Sequence, residues 1–205
     1  MLTLTDLDSL LAAARAAAGN RHFSPRGTVR CAGSPMFRNQ RARDLACLLD
    51  LDPTVREWSC LPLVLRSGDV GHVPDFLVVR GEGACLVDAV ETVEDPSTHW
   101  IEGEALRHDC TYERVAAHEI KAGARLANAR DLLRYARWQC PLGDRVRLLA
   151  ALEEQGSMAV AECMPAFRET PPIAGLSSLI LHRFVEIDLD EARIGPETQV
   201  RRCRD

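Results

Sequence analysis

Lysine is almost missing: of 25 basic residues only Lys121 is a lysine, so nearly all positive charge is carried by arginine. No apolar run approaches the roughly 20 residues that span a bilayer. The N-terminus also lacks a basic segment followed by an apolar stretch and a cleavage site. These absences lead us to expect a cytoplasmic protein with no membrane partner. The eight cysteines, at 31, 47, 60, 85, 110, 140, 163 and 203, include no C-x-x-C pair. That spacing argues against a zinc site and a disulfide framework, and for reduced, partly buried thiols. No internal repeat or low-complexity tract occurs. The most local absence is of acid: between Ser9 and Arg43 there is no Asp or Glu, while Arg15, Arg21, Arg26, Arg30, Arg38, Arg41 and Arg43 all fall there. On a chain of net charge −5, such a stretch suggests a polyanion or an acidic partner surface. A solvated arginine-rich face is the plainer alternative.

What is present is an ordinary globular composition, 46% hydrophobic and 27% charged over 205 residues. That length accommodates one proper core and a small second module. The most informative stretch is Gly68–Glu91. Val73–Val79 is a β-branched and aromatic run, Arg80-Gly81-Glu82-Gly83 is a turn, and Ala84–Val90 is a returning apolar strand. Pairing Phe76–Val79 with Cys85–Asp88 brings Asp75 and Asp88 to one end of the ribbon. Two carboxylates there suit Mg²⁺, which takes oxygen ligands and often needs only one or two from protein. The alternative is a polar strand-entry residue at Asp75 and a solvated Asp88.

Around this hairpin the pattern predicts a helix capped by Thr5 and running to Ala18, with Leu7, Leu10, Leu11, Ala14 and Ala18 on one face. A loop or arm follows over 21–37, then a helix over Arg38–Leu49 stopped by Asp52-Pro53. Val55–Cys60 and Leu63–Arg66 read as short strands. Thr92–Thr98 reads as an acidic loop, Trp100–His108 as a short helix, Thr111–Val115 as a strand, and Asn128–Trp138 as a helix. The order describes a mixed α/β core around one sheet. Cys140-Pro141-Leu142-Gly143 reads as a boundary, giving a domain over 1–140 and a module over 141–205. In the latter, helices at Arg145–Glu154, Met158–Met164 and Ile173–His182 precede a strand at Phe184–Leu189, a winged-helix-like order.

Several short motifs occur in this order: Ser24-Pro25-Arg26-Gly27; Arg43-Asp44-Leu45 leading to Asp52-Pro53-Thr54-Val55; Val73-Pro74-Asp75-Phe76; Asn128-Ala129-Arg130 within Leu126–Ala136; Ile187-Asp188-Leu189; and Thr198-Gln199-Val200. Together the chain from about Phe23 to Val200 resembles the TnsA family, the restriction-endonuclease-like (PD-(D/E)xK) subunits of heteromeric transposases. The resemblance implies a restriction-endonuclease-like mixed sheet flanked by helices, and a metal-dependent cut in DNA. The family's site combines a helix Glu, the Asp of P-D, and an acid or Gln separated by one residue from a Lys. The acids hold Mg²⁺, and the Lys orients water or neutralises developing charge.

Transferred residue by residue, Asp75 matches the P-D acid and Asp88 the next-strand acid. Val90 stands where Lys belongs, and Ala42 where the helix Glu belongs. Val cannot position water by hydrogen bonding, and Ala cannot complete an acidic shell. Glu91, Lys121 and Gln40 are candidate substitutes; Glu91 points to the other face of a regular strand and would need a bulge, and an exposed helix residue is the plainer alternative for Lys121 and Gln40. The His99, Glu102, Glu104, His108 cluster lacks a metal-binding spacing, and His118-Glu119 reads as a helix start. The expectation is therefore a pseudonuclease with no cofactor. It would act as a DNA- or protein-binding factor of a mobile element or of gene regulation, with Arg21, Arg26, Arg30, Arg38, Arg41 and Arg43 meeting phosphates. The rival expectations are a working Mg²⁺-dependent endonuclease that uses Asp75 and Asp88, and a scaffold that binds only protein.

Overall fold

The computed structural model describes residues 4–93 and 99–203. Part of the expected loop at Thr92–Thr98 therefore lies outside the described residues. The chain divides into two compact units, one of residues 1–24 and 30–121, the other of 25–29 and 122–205. The division falls after Lys121, some way before the Cys140-Pro141 boundary read from composition. The helix at 125–133 consequently belongs to the second unit.

The first unit is mixed α/β. Helix α1 (Leu4–Gly19) begins one residue before Thr5, which lies inside its first turn rather than capping it. Of its expected apolar face only Ala18 is buried, and Leu10 is exposed. α1 is held instead by Arg15, whose Nε and Nη2 donate to Leu61 O at 3.1 and 2.9 Å. Helix α2 (Gln40–Leu51) is capped by Asn39, whose side chain accepts from Ala42 N at 2.9 Å. An N-cap at Asn39, with the helix beginning two residues past the expected start, leaves Arg38 outside the helix.

Strands β1 (Val55–Cys60), β4 (Phe76–Arg80), β5 (Gly83–Val90) and β6 (Cys110–Ala116) form a four-stranded mixed sheet in the order β1-β4-β5-β6. β1–β4 and β4–β5 pair antiparallel and β5–β6 parallel. Helix α3 (His99–Leu106) lies in the crossover between the parallel pair, as parallel strands require. The expected hairpin forms, but Phe76 pairs with Val87, one residue short of the register supposed. That register continues to Asp75 opposite Asp88, so both side chains leave the same face. A separate two-stranded ribbon, β2 (Leu65–Ser67) with β3 (Val70–His72), is inserted before β4. Of this ribbon the sequence pattern predicts only the first strand, as Leu63–Arg66.

Helices flank this sheet. α2 packs on β1 and β5, while α3 packs on β6 and β2. Beside α3 lies the cluster of Leu65, Leu86, Ile101, Ala105 and Cys110. The rings of Phe37, Trp58 and Phe76 form a second cluster with centroids 5.6–6.3 Å apart. Burying one large side chain is worth about 1.5–3 kcal/mol, so each cluster adds to this unit's cohesion. The short helix α4 (Ala117–Ile120) follows β6, with Glu119 Oε2 accepting from Ala116 N at 2.7 Å. His118-Glu119 is thus a helix start, as its sequence suggested.

The second unit comprises α5 (Arg125–Leu133), α6 (Leu142–Gln155), β7 (Ser157–Ala159), α7 (Val160–Cys163), α8 (Pro172–Leu181), β8 (Val185–Ile187) and β9 (Gln199–Arg202). β7, β9 and β8 form an antiparallel sheet in that order. The helix expected over Met158–Met164 begins instead as β7, because Met158 and Ala159 pair with Val200 and Gln199. Cross-strand pairing to a distant partner overrides local helix propensity. α6 ends at Gly156, whose φ of 75° suits a residue without Cβ. Gly27 is kept small for a different reason: a Cβ there would sit 2.6 Å from Ala136 Cβ and 2.8 Å from Leu133 O.

Candidate functional site

Asp75 and Asp88 are brought together at the open end of the β4–β5 hairpin, both nearly buried at 5% and 4% exposure. Each is tied to the other's strand. Asp75 N donates to Asp88 Oδ1 at 2.8 Å, and Ala89 N donates to Asp75 Oδ2 at 3.0 Å. The remaining oxygens are occupied by three side chains. Arg38 Nη1 donates to Asp75 Oδ1 at 2.8 Å and lies 4.0 Å from Asp88 Oδ1. Its Nη2 donates to Val73 O. His72 Nε2 lies 2.5 Å from Asp88 Oδ2, and Tyr112 Oη donates to the same oxygen at 2.7 Å.

These partners set the protonation of the pair. Burial and the neighbouring Asp88 charge push Asp75 up to about 6, against the opposing pull of Arg38. Burial would raise Asp88 as well. For Asp88 it is outweighed by hydrogen bonding and charge from His72, the Tyr112 hydroxyl and the Asp75 N–H, so its carboxyl lies below the usual range. Burial and the Asp88 carboxylate raise Tyr112, which keeps the phenol a neutral donor. Two adjacent carboxylates whose environments separate their protonation in this way are common at functional sites and also in structural networks.

The arrangement does not fit a hard divalent cation. All four carboxylate oxygens accept a hydrogen bond from the protein itself, and the Arg38 guanidinium supplies positive charge to both acids. Among the described residues, no group of three or more His, Cys, Asp or Glu is placed to hold a metal. The partly exposed members of the network are Arg38, His72 and Tyr112, not the acids.

The other expected site residues are distributed as follows. Val90 is half-buried opposite Ala116 in the β5–β6 ladder, and Ala42 is buried. Gln40 gives its amide to Asp44 Oδ1 at 2.7 Å and to Ser24 O at 3.1 Å. Glu91 is exposed and pairs with Arg41 at 2.6 Å. Lys121 is exposed at the C-cap of α4. His99, Glu102 and His108 are exposed, and Glu104 pairs with Arg107.

Of the six arginines expected to meet phosphates, Arg43 is 0% exposed, with its guanidinium 5.1 Å from the Phe37 ring centroid. That burial removes it from any nucleic-acid surface. Arg38 and Arg41 are engaged with Asp75 and Glu91. Arg21 donates to Arg38 O at 2.5 Å, and Arg30 is half-buried with its backbone N–H on Asp50 Oδ1. Arg26 is exposed and belongs to the second unit.

In the second unit, the motif around Asn128 meets the chain sixty residues on. Asn128 is 1% exposed, and its Nδ2 donates to Leu189 O at 2.9 Å and Ala192 O at 2.8 Å. Its Oδ1 accepts from Ile194 N at 3.1 Å. Asp188 Oδ1 accepts from Asp190 N and Glu191 N, and Thr198 Oγ1 accepts from Gly195 N. The motifs quoted for this region therefore shape one β8–β9 connection. An open cleft beside it carries Glu186, Asp188, Glu191 and Glu197 against Arg193 and Arg201, an acid-rich lining unsuited to phosphate.

His72 and Tyr112 escaped the sequence reading. The Ser67-Gly68-Asp69-Val70 turn signalled the ribbon that carries His72. Nothing local marks Tyr112, which is set by the parallel register of β5 and β6. A scan against protein-family models gives no match to this chain, and a search of the curated proteins gives none.

Proposed function

We propose that this protein is a non-cutting relative of the TnsA-like, PD-(D/E)xK endonuclease subunits, acting as a binding factor. The observation that carries the reading is the internal saturation of Asp75 and Asp88 by Arg38, His72, Tyr112 and two backbone N–H groups. A nuclease must leave carboxylate oxygens open to its cation. Here a guanidinium neutralises them, and Val90 and Ala42 stand in for the Lys and Glu that the resemblance implies. A mixed sheet flanked by helices, with two acids at adjoining strand positions, supports the restriction-endonuclease-like fold. The order α6-β7-α7-α8-β8-β9, closed by a three-stranded sheet, supports a winged-helix-like second unit.

A protein partner is favoured over DNA. In the first unit acidic residues outnumber basic ones 18 to 12, and three of the six candidate arginines are spent internally. In the second unit Ala174–Leu181 of α8 are all buried, and α5 packs on this helix. A covered helix offers no face to a major groove. The test is a plasmid-nicking assay with Mg²⁺ or Mn²⁺, run beside Asp75→Ala, and a gel shift over a salt series. We expect no nicking, and no DNA affinity that falls steeply with salt. Nicking that Asp75→Ala abolishes would restore the Mg²⁺-dependent endonuclease. A steep salt dependence, reduced by Arg26→Ala, would make DNA the partner.

A further inference from the structure

Near its start, helix α6 of the second unit carries two arginines with different fates. Arg147 is fully engaged: its Nη2 donates to Asp144 Oδ1 and, at 2.8 Å, to Glu169 Oε1, and its Nε donates to Ala166 O at 3.0 Å. Arg145 is not. Among the described residues its half-buried guanidinium forms no ion pair and no hydrogen bond. It lies over the Phe184 ring instead, 4.5 Å from the centroid. Such a contact holds the cation through the ring face and leaves its N–H groups available to another acceptor.

The fold builds a hollow around this cation. Ser178 Oγ donates to Trp138 O at 2.9 Å and accepts from Cys140 N at 3.2 Å, which fastens the segment entering α6 to α8. α8 closes at His182, whose N–H donates to Ser178 O at 3.0 Å. Arg183 then takes a φ of 58°, and Phe184 N donates back to Leu179 O at 2.9 Å. This reversal brings the Phe184 ring to Arg145. Gln139, Cys140 and His182 share the lining of the hollow with them. Its volume of about 220 Å³ lies below the roughly 300–1,000 Å³ of sites for drug-sized ligands, so it selects a small one.

No lining residue is an acid. The adjacent Asp144 is held by Arg147 and by the backbone N–H groups of Arg168 and Glu169. Burial and the Asp144 charge push the Cys140 thiol up to about 11, so it enters the lining as a neutral group. The hollow therefore presents a permanent positive charge with no negative side chain to answer it.

We propose that this hollow binds a small oxyanion, a carboxylate or a phosphate group, through the Arg145 guanidinium. The planar fork of an arginine donates two parallel hydrogen bonds to either anion. The amide of Gln139 and the imidazole of His182 supply the other polar groups of the lining. The site lies wholly within the second unit, and the inference is independent of the reading of the Asp75–Asp88 pair.

The experiment titrates the purified full chain with inorganic phosphate, and separately with acetate, at constant ionic strength. The NMR resonances of the Arg145 Nε–H and the Gln139 side-chain amide are followed. We expect a saturable shift of both with at least one anion, at a dissociation constant of about 1 mM or tighter. Saturation by phosphate alone assigns a phosphate site, and saturation by acetate alone a carboxylate site. Arg145→Ala, which removes no hydrogen bond or ion pair of the fold, should weaken binding about tenfold or more, read at Gln139. Phe184→Leu keeps the charge but removes the ring that holds it, and should weaken binding about threefold. Arg201→Ala, in the other cleft of this unit, should leave the affinity unchanged. No saturation by either anion at about 10 mM, full affinity in Arg145→Ala or in Phe184→Leu, or a loss in Arg201→Ala equal to that in Arg145→Ala would each overturn the proposal.

Discussion

Replacing Arg38 by Ala removes a cation that touches both buried acids, and its cost should depend on pH. The bond from Arg38 Nη1 to Asp75 is 2.8 Å long, and a hydrogen bond to a charged group contributes about 1.5–3 kcal/mol. Stranding a fully buried charge costs about 3–5 kcal/mol. The Arg38 side chain, however, is 31% exposed, so water refills part of its place. We therefore expect about 2 kcal/mol of destabilisation at pH 7.5. The pH dependence follows from Asp75, whose carboxyl is raised to about 6 in the folded chain. A raised acid holds its proton more tightly when folded. Its stabilising contribution is complete below the ordinary carboxylate range and is lost as pH rises through about 6. Arg38 offsets that loss only while Asp75 is ionised. At pH 5 the Arg38→Ala penalty should fall below about 1 kcal/mol, leaving the lost donor to Val73 O and the longer contact with Asp88, which stays ionised. Urea unfolding of wild type and variant at pH 5, 6 and 7.5 measures this. In an Asp75→Asn background the pH dependence of the penalty should vanish. A penalty that is equal at all three pH values, or below about 0.5 kcal/mol at pH 7.5, would refute the electrostatic account.

Asn128→Ala deletes three hydrogen bonds to backbone groups of the β8–β9 connection. The expected loss is about 3 kcal/mol, with faster amide exchange at Ile194, whose N–H it strands; unchanged exchange there would count against the pin. Gly27→Ala should destabilise by about 1–3 kcal/mol through overpacking against Ala136 and the Leu133 carbonyl, read as a lower thermal midpoint. Asp144 is fully buried and accepts from the backbone N–H groups of Arg168 and Glu169 and from Arg147, which together outweigh burial and hold its carboxyl below the ordinary value. Its stabilising effect is complete above the ordinary carboxylate range and is lost as pH falls below about 4. An acid titration of stability should therefore be shallower in Asp144→Asn, and an unchanged acid limb would exclude the role.

The elements that could be read from sequence were those fixed by local chemistry. The Val-rich run and the Arg80–Gly83 turn yielded the β4–β5 hairpin, and the helices expected at Arg145–Glu154 and Ile173–His182 form as α6 and α8. Features settled by distant partners escaped. β7 was hidden because Met158-Ala159 has helical preference and becomes extended only beside β9. Arg38 was misplaced within α2 because Asn39, not the run of arginines, sets the helix start. Arg43 looked like a solvent-facing charge, but its stem and guanidinium complete the core around Phe37. Of the site, Asp75 and Asp88 were visible through hairpin register. Arg38, His72 and Tyr112, which decide what the two acids can do, converge from a loop, an inserted ribbon and a parallel strand.

The reciprocal bonds between Asp75 and Asp88 have an evolutionary consequence. Each carboxylate holds a backbone N–H of the opposite strand, so a one-residue slip of β4 against β5 would break both bonds. The slip would also turn an acid toward the side that holds Phe76. Selection for correct strand pairing alone is then enough to retain both residues. A pair of acids at a hairpin mouth can thus be kept by strand register alone, and its presence is not by itself a sign of activity.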